Sequence, residues 1–328
     1  MIEFLLGVDG GGSGTRACLA RAVPAGGGAP APAPAGAAAP AGACAHTALT
    51  VLATGTAGPS ALSLGVERAW AAVEQAVAAA FAGAGLPPAP RSTVALGLGL
   101  AGVHHRLWAA QFAAADPGYG RLALASDGYT TVLGAHDGAP GAIIALGTGS
   151  VGEVRLADGC HVEVGGWGFP SGDEAGGAWI GLHAINHLQH SFDGRLAPNA
   201  FADAVAQACG LDPDATRRRD PAARELLQQW LAGAAPARYA QLAPVVLRHA
   251  ADSEAAHAIV QAAGAQVARI AAALDAGGTL PLALCGGLAA PLHPYLPPAL
   301  QARVVAPRGD SAAGALRLIR QHLDEAPR

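Results

Sequence analysis

The chain contains no lysine, and all 20 of its basic residues are arginine. A phosphate-binding loop of the Walker type needs a lysine that reaches the β- and γ-phosphates of a nucleotide, so this class of binding site is excluded. The dinucleotide fingerprint G-x-G-x-x-G is also missing, because Thr15 stands three positions after Gly12. A phosphorylated ligand would therefore need another kind of loop.

Charged residues are scarce as well. They make up only 13% of the 328 residues, the net charge is −4, and the arginines are spread along the chain. A surface for nucleic acid or an anionic membrane normally shows as a basic stripe or patch. The composition therefore predicts no nucleic-acid partner and no membrane partner, and it favours a small-molecule ligand.

The cysteines form no C-x-x-C pair, which is the spacing expected of a redox or metal-binding motif. They are Cys18, Cys44, Cys160, Cys209 and Cys285. The first apolar run has no basic region before it and is interrupted by Asp9, unlike a secretion signal. We expect a cytoplasmic protein with reduced thiols.

Glycine, in contrast, is abundant, and it is concentrated in a predicted hairpin near the start of the chain. An apolar strand leads to Asp9, and the residues that follow before the next strand are Gly10, Gly11, Gly12, Ser13, Gly14 and Thr15. Glycines let the backbone approach a ligand closely, so several N–H groups can converge on a phosphate while Asp9 reaches a cation. A plain hairpin turn is the alternative, but it needs neither the acid nor so many glycines.

A second predicted hairpin repeats this pattern. Residues 142–146 form an apolar strand, the turn Gly147-Thr148-Gly149-Ser150 follows, and residues 151–156 return. Between the two hairpins, a short strand over 121–126 ends at Asp127, and ligands in open α/β sheets collect at the carboxyl ends of strands. We predict two related halves that each present a phosphate loop, with Asp127 as a candidate functional acid.

Two more glycine-rich segments are candidates for ligand contact. Gly286 and Gly287 follow a buried strand over 280–284, where a flat ligand could lie against the backbone. The segment from Gly165 to Glu174 opens a predicted helix. Acids at the start of a helix stabilise it, which is the simpler interpretation of Asp173 and Glu174.

The length and the alternation of strands and helices predict an α/β fold of two sheet domains. We expect one domain over 1–115 plus 310–328 and a second over 116–309 with a helical elaboration at 197–276. Residues 24–42 are a low-complexity loop of Ala, Pro and Gly, with a returning strand around 48–53.

Other kinds of catalytic site lack support. His183 and His187 are spaced as in a zinc-binding helix, but the glutamate that a metalloprotease needs is absent, and no G-x-S-x-G motif occurs. The remaining glycine and hydroxyl loops with isolated carboxylates suit phosphoryl transfer, which mainly requires positioning, charge neutralisation and one base.

In this order, the motifs resemble those of the sugar-kinase, heat-shock-chaperone and actin superfamily. They are most similar to the BadF-type ATPase family, which includes N-acetylglucosamine kinase and bacterial glucosamine kinase. Asp9 with the following glycines resembles the first phosphate motif, the turn at Gly147 the second, and Gly286-Gly287 the adenosine motif. The resemblance implies two actin-like (ribonuclease-H-like) domains, each with a mixed sheet flanked by helices, and a cleft between them.

The same resemblance implies roles for individual residues. Asp127 would be the catalytic base for the sugar 6-hydroxyl, and Asp9 would hold Mg²⁺. ATP and its phosphates would contact Gly10, Gly11, Gly12, Ser13, Gly14, Thr15, Gly147, Thr148, Gly149, Gly286 and Gly287. The sugar would contact Asp127, Thr148, Gly149, Gly166 and Asp173.

The implied function is an ATP-dependent amino-sugar kinase that acts on glucosamine or N-acetylglucosamine, with ATP and Mg²⁺ as cofactors and a homodimer left open. One alternative is an activator ATPase of a 2-hydroxyacyl-CoA dehydratase or benzoyl-CoA reductase. A non-catalytic sugar-sensing relative is another. The segment Gly58-Pro59-Ser60 lacks the sugar-binding asparagine of N-acetylglucosamine kinases, so the choice of sugar stays open.

Overall fold

The computed structural model describes residues 1–22 and 50–325. The predicted low-complexity loop over 24–42 lies outside the described residues. The chain divides into two compact units. The N-terminal unit contains Met1–Asp137 and the segment that begins at Gly309, and the C-terminal unit is Gly138–Arg308.

The strands and helices alternate along the described chain. The strands are β1 (Phe4–Gly10), β2 (Thr15–Arg21), β3 (Val51–Ala57), β4 (Val94–Leu100), β5 (Arg121–Ala125), β6 (Gly141–Leu146), β7 (Ser150–Arg155), β8 (His161–Gly165), β9 (Leu282–Cys285) and β10 (Val304–Val305). The helices are α1 (Val66–Gly83), α2 (Arg106–Ala114), α3 (Asp127–Ala135), α4 (Gly177–Phe192), α5 (Ala200–Ala208), α6 (Pro213–Arg217), α7 (Pro221–Leu231), α8 (Pro236–Ala240), α9 (Ala243–His249), α10 (Glu254–Leu274), α11 (Ala289–Leu292), α12 (Pro298–Gln301) and α13 (Ser311–Glu325).

The N-terminal unit is built on a mixed sheet with the strand order β3-β2-β1-β4-β5. Strands β1, β2 and β3 pair antiparallel, whereas β4 and β5 continue from β1 in parallel. Strand β1 is buried along almost all of its length. Its alternate side chains face two apolar clusters, because Leu6 and Val8 pack with α1 while Leu5 packs with α13. Continuous apolar character is typical of a strand with helices on both faces.

Glycines in the central strands of this sheet allow α13 to pack directly on the backbone. A Cβ atom at Gly7 would lie 2.2 Å from the carbonyl oxygen of Ala312, and one at Gly97 would lie 2.0 Å from that of Ala315. Both distances are far below van der Waals contact. The high glycine content therefore serves close helix-on-sheet packing as well as turns.

The C-terminal unit contains a second mixed sheet, with the order β10-β9-β6-β7-β8. Strands β6, β7 and β8 pair antiparallel, and β9 and β10 continue from β6 in parallel. Read from its antiparallel edge, this order is the same as that of the first sheet. The two related halves that the repeated hairpin pattern predicted are thus present as one topology built twice.

Helices α4 to α10 form most of the apolar core of the C-terminal unit. Helix α10 packs through Ile259, Val260 and Val267 into a cluster that also contains Ile180 of α4 and Ile144 of β6. The segments α5 to α10 correspond to the predicted helical elaboration over 197–276. The fold class predicted from the sequence, α/β with two mixed sheets flanked by helices, is confirmed.

The boundary between the units differs from the predicted one. The division lies after Asp137 rather than after residue 115, and the second crossing of the chain is at Gly309. Strand β5 pairs with β4, and α3 packs against α13 so closely that a Cβ at Gly314 would lie 1.7 Å from the carbonyl oxygen of Thr130. Residues 116–137, with Asp127 among them, therefore belong to the N-terminal unit.

Two smaller features concern the bounds of strand β3 and the character of the helices. Strand β3 begins at Val51, slightly later than the predicted strand around 48–53, and it runs to Ala57. Among residues 1–22 and 50–325, none of the helices combines the length and the apolar character needed to cross a membrane.

Candidate active site

The turn between β1 and β2 carries the predicted phosphate contacts of the N-terminal unit. The turn is closed by a hydrogen bond of 3.0 Å from Gly11 N to Gly14 O. A Cβ atom built at Gly11 or at Gly12 would meet nothing within 4 Å. The protein itself therefore does not require glycine at these two positions, and the free space beside the backbone leaves room for a ligand.

Thr15, at the end of this turn, is a buried residue rather than an exposed one. Its Oγ1 atom lies 2.6 Å from the carbonyl oxygen of Gly58 and 2.7 Å from Oγ of Ser60. The backbone N–H of Ser60 in turn donates to the carbonyl oxygen of Gly11 over 3.0 Å. The Thr15 hydroxyl thus supports the turn from behind, so a contact between Thr15 and phosphate would have to use its backbone.

Asp9 lies near the carboxyl end of β1, where it is paired in register with Arg16 on β2 and with Gly99 on β4. Burial raises the pKa of the Asp9 carboxyl above its ordinary value, and a hydrogen bond from Ser311 opposes this shift. The negative charges of Asp127 and Asp310 raise the pKa further. A half-buried carboxylate with two acidic neighbours favours the approach of a cation.

Asp127 is the first residue of α3, immediately after the cap residue Ser126. The Ser126 hydroxyl accepts the backbone N–H of Tyr129 over 3.0 Å, which fixes the start of the helix. Burial raises the pKa of the Asp127 carboxyl, and hydrogen bonds from the backbone of Gly128 and the charge of His104 partly oppose the shift. A carboxylate with a raised pKa is a stronger base, which suits a group that must take a proton from a hydroxyl.

Two further residues of this region, Asp310 and Ser311 at the start of α13, were not among the predicted site residues. Asp310 forms an ion pair of 2.7 Å with Arg16, and its other carboxylate oxygen accepts the backbone N–H of Ala313. Ser311 is buried, and its Oγ atom lies 2.8 Å from Oγ1 of Thr130 on α3. The sequence marks these residues only as the start of a helix, because their partners Arg16 and Thr130 are distant along the chain.

The second phosphate-type turn, between β6 and β7, is fixed by the start of α4. Gly147 N donates to Gly149 O over 3.0 Å. The first backbone N–H groups of α4 donate to the turn, from Gly177 to Gly147 O and from Ala178 to Thr148 O. Gly147 and Thr148 are exposed, and a Cβ atom at Gly147 would meet nothing within 4 Å. This turn, like the first, leaves open space beside a fixed backbone.

Gly149 and Asp173, two of the predicted sugar contacts, lie side by side in the C-terminal unit. A Cβ atom at Gly149 would lie 2.2 Å from Oδ2 of Asp173, so only glycine leaves room for this carboxylate. The other carboxylate oxygen of Asp173 accepts the backbone N–H of Gly168 over 3.1 Å. Asp173 has a positive φ of 59° and lies before α4, which begins at Gly177. The simpler interpretation, that Asp173 is a stabilising acid within the helix start, is wrong.

The glycine loop next to Asp173 is strongly exposed at its tip. Gly166 has a φ of 68°, and Trp167 keeps 85% of its surface accessible to solvent. A Cβ atom at Gly166 would come within 3.1 Å of the Val151 side chain on β7. The loop therefore follows the sheet edge closely at Gly166, the predicted sugar contact.

Gly286 and Gly287 follow β9, and each glycine has its own surroundings. Gly286 has a φ of 90°, and a Cβ atom there would lie 2.4 Å from the carbonyl oxygen of Leu146. The positive φ and the close approach to Leu146 are enough to explain why position 286 is glycine. Gly287 is exposed, and a Cβ atom there would meet nothing within 4 Å, so this position leaves backbone accessible to a flat ligand.

Comparison with known proteins decides the family. The model of the BadF/BadG/BcrA/BcrD ATPase family matches residues 6–294. The chain belongs to this family. It is 32% identical to the glucosamine kinase GspK of Vibrio cholerae over 262 residues, which cover 79% of this chain and 84% of that protein.

Solved structures support the same placement for this BadF-family chain. The crystal structure of a candidate N-acetylglucosamine kinase from Chromobacterium violaceum is 46% identical, with a TM-score of 0.81, and the match covers 97% of this chain and 99% of the other. A second such candidate, from Porphyromonas gingivalis, is 17% identical with a TM-score of 0.58, and it supports the fold alone.

In this BadF-family protein, the carboxylates of Asp9, Asp127 and Asp310 offer oxygen ligands that fit a magnesium ion. Mg²⁺ prefers hard oxygen ligands and usually keeps several waters, so one or two carboxylates suffice. The pKa of the Asp9 carboxyl is raised by burial and by two neighbouring acids. Arg16, the basic side chain that lowers it, is already paired with Asp310. A divalent cation would offset the remaining negative charge.

Proposed function

We propose that the protein is an ATP-dependent amino-sugar kinase that phosphorylates the 6-hydroxyl of glucosamine or N-acetylglucosamine. The observation that carries the proposal is the half-buried Asp127 carboxylate, with its raised pKa, in the same unit as Asp9 and the first glycine turn. The identity of 32% with a glucosamine kinase supports the substrate class.

In the proposed reaction, Asp127 takes the proton of the sugar hydroxyl as the oxygen attacks the γ-phosphorus of ATP. The proton resides on the Asp127 carboxylate, the bond to the β,γ-bridging oxygen breaks, and ADP leaves. A positioned base of this kind contributes ~10²- to 10⁴-fold to the rate. Bound Mg²⁺, held by Asp9, would neutralise charge on the phosphates.

Backbone groups of the two glycine turns would bind the phosphates of ATP. Gly11 and Gly12 in one turn and Gly147 in the other have open space beside the backbone, as a closely bound phosphate requires. Gly287 would contact adenosine for the same reason. Ser13 is exposed in the first turn, where its hydroxyl is accessible to a phosphate oxygen.

The sugar would be bound by the group around Asp173. One of its carboxylate oxygens already accepts the Gly168 N–H, and the carboxylate has remaining acceptor capacity for sugar hydroxyls. Thr148, Gly149 and Gly166 complete the proposed sugar contacts. The absence of asparagine in Gly58-Pro59-Ser60 keeps both amino sugars in the proposal.

The activator-ATPase alternative receives less support from the cysteines. Such an activator holds an iron–sulfur cluster through deprotonated thiols. Burial raises the pKa of Cys209 to about 12 and that of Cys285 to about 11, so neither thiol is ionised at neutral pH before a metal binds. Iron analysis of the purified protein tests this alternative, and we expect no iron. The cytoplasmic location and a homodimer remain predictions of the sequence.

The test of the proposed function is a coupled ADP-release assay with MgATP and glucosamine, N-acetylglucosamine, N-acetylmuramate or glucose. We expect acceptor-dependent ADP release with at least one of the two amino sugars. D214N is a suitable control for later variants, because Asp214 is 66% exposed and lies on α6, outside the proposed site. ADP release at the same rate with and without each of these sugars would favour an ATPase without a hexose acceptor.

A further inference from the structure

The glycine loop, residues 166–172, leads to Asp173 and has few side chains that could hold it in place. Its exposed side chains are those of Trp167, Pro170 and Ser171. Phe169, in contrast, is half-buried. Glycine gives a backbone many accessible conformations, and Gly168 beside Phe169 has a positive φ of 86°. The Phe169 ring is therefore the side chain of the loop that can fix its shape.

Phe169 packs against Tyr239, a residue of α8 that is distant in the sequence. Their ring centroids are 5.0 Å apart, and the ring planes are inclined by 43°. Tyr239 in turn meets the ring of Trp230 on α7 edge-on, with centroids 5.5 Å apart and planes at 84°. Trp230 is a core residue with only 7% of its surface exposed. Three aromatic rings thus connect the glycine loop to the apolar core of the C-terminal unit.

The backbone of α8 is held directly against α4. A Cβ atom at Gly181 of α4 would lie 2.0 Å from the carbonyl oxygen of Tyr239, so only glycine permits this approach. A Cβ atom at Gly177, the first residue of α4, would lie 3.0 Å from Cβ of Ala240. The Tyr239 ring therefore projects toward the loop from a backbone whose position is set by the packing of α8 on α4.

Phe169 is also adjacent to the group that holds the Asp173 carboxylate. The backbone N–H of Gly168 donates to Oδ1 of Asp173 over 3.1 Å. The N–H of Gly172 donates to the carbonyl oxygen of Gly168 over 2.8 Å. Because Gly168 and Phe169 share a peptide bond, fixing the Phe169 ring restricts the Gly168 backbone, and the hydrogen bond from Gly168 then orients the carboxylate.

We propose that Phe169 and Tyr239 are positioning residues, whose ring contact holds the glycine loop so that the Asp173 carboxylate keeps the orientation that binds the sugar. This inference rests on the proposed function for the identity of the ligand. Neither ring needs to touch the sugar, since both act through Gly168 and Asp173. Without the ring contact, the loop populates other conformations, and sugar binds only to the fraction of molecules in which Asp173 is in place.

The test compares variants that lose a ring with variants that keep it. F169L and Y239L replace a ring by an apolar side chain, whereas Y239F removes only the hydroxyl. Y295L is the matched control, because Tyr295 is another half-buried tyrosine of this unit and packs on the ring of His257. An aromatic pair is worth about 2- to 10-fold in an equilibrium, so we expect the KM for the sugar to rise by this factor in F169L and Y239L. Y239F and Y295L should keep the wild-type value.

The KM for ATP should stay at the wild-type value in all of these variants, because the N–H of Gly177 on α4, and not the glycine loop, holds the turn at Gly147. A double-mutant cycle then tests whether the two rings act through each other. If they do, F169L/Y239L raises the sugar KM no further than the larger single change. A merely structural role would lower the thermal midpoint and leave the sugar KM of the folded protein unchanged. An unchanged sugar KM in folded F169L, or additive increases in the double variant, would overturn the proposal, and F169L decides alone if Y239L does not fold.

Hydrogen exchange of the peptide that contains Gly168 and Gly172 provides a readout without any sugar. Its amides should exchange faster in F169L and Y239L than in the wild type and Y295L, because the loop opens more often. If no sugar stimulates ADP release by the wild type but this exchange is faster, the anchoring of the loop stands and the kinase proposal fails. If a sugar is phosphorylated but F169L has the exchange rate and the sugar KM of the wild type, the kinase proposal stands and the positioning role fails.

Discussion

Burial of Asp127 affects both its proposed role as a base and the stability of the fold. The pKa of this carboxyl is raised above its ordinary value of 3.8, mainly by burial. For such a group, the stabilising contribution is fully present below the unfolded pKa and is lost as the pH rises through the folded pKa. The ionised form that the proposed catalytic role requires is therefore a destabilising form of this residue at neutral pH.

Replacing Asp127 by asparagine should consequently stabilise the protein. We expect D127N to have a higher thermal midpoint than the wild type at pH 7, because the amide removes a buried charge of nearly the same shape. The difference should shrink as the pH is lowered toward 3.8, where the wild-type carboxyl is increasingly protonated. Thermal unfolding over this pH range, with D214N as a control, checks the prediction. Equal midpoints at pH 7 would contradict it.

Gly12 permits a second test at the scale of one residue. A Cβ atom there meets no protein atom within 4 Å, so G12A should fold with wild-type stability. If a phosphate lies against this turn, the same methyl group should raise the KM for ATP and leave the KM for the sugar unchanged. A Cβ atom at Gly277 would come no closer than 3.5 Å to another atom, and Gly277 lies outside the proposed site, so G277A is the matched control. An ATP KM that does not change in G12A would remove this residue from the phosphate site.

At the scale of the elements, the packing of α13 on the first sheet depends on glycine. A Cβ atom at Gly97 would lie 2.0 Å from a backbone oxygen of α13, which cannot be relieved by turning a side chain. We expect G97A to lower the free energy of unfolding by about 1–3 kcal/mol or more, as overpacking of a core does. Urea unfolding measures the loss, and G58A, with no neighbouring atom, should be close to wild type. A G97A protein as stable as the control would contradict the close packing.

The strands and the hairpins were predictable because their signals are local. Apolar runs that end in a glycine and hydroxyl turn appear twice in the sequence, and both became antiparallel pairs, β1 with β2 and β6 with β7. Gly149 and Asp173 were predicted to belong to one sugar site. Their close approach was not predictable, because a linear sequence does not show that a Cβ atom at position 149 would lie 2.2 Å from the Asp173 carboxylate.

At the scale of the whole molecule, the duplication of the fold was predicted, whereas the boundary between the two units was not. The repeated hairpin pattern predicted two related halves, and the structure shows them as two sheets with one strand order. The unit boundary after Asp137 was not predictable, because β5 and α3 pair with elements that precede them and with α13. Asp310 and Ser311 were missed for the same reason, since their partners are distant in sequence and no local pattern marks them.

The central claim concerns phosphoryl transfer to an amino sugar with Asp127 as the base. The most direct measurement is mass-spectrometric detection of hexosamine 6-phosphate from MgATP and glucosamine or N-acetylglucosamine, in wild type, D127N and D214N. The account predicts product from wild type and D214N, with kcat reduced ~10²- to 10⁴-fold in D127N and the KM for ATP preserved. Product formed by D127N at the wild-type rate, or no phosphorylated sugar from the wild type, would contradict it.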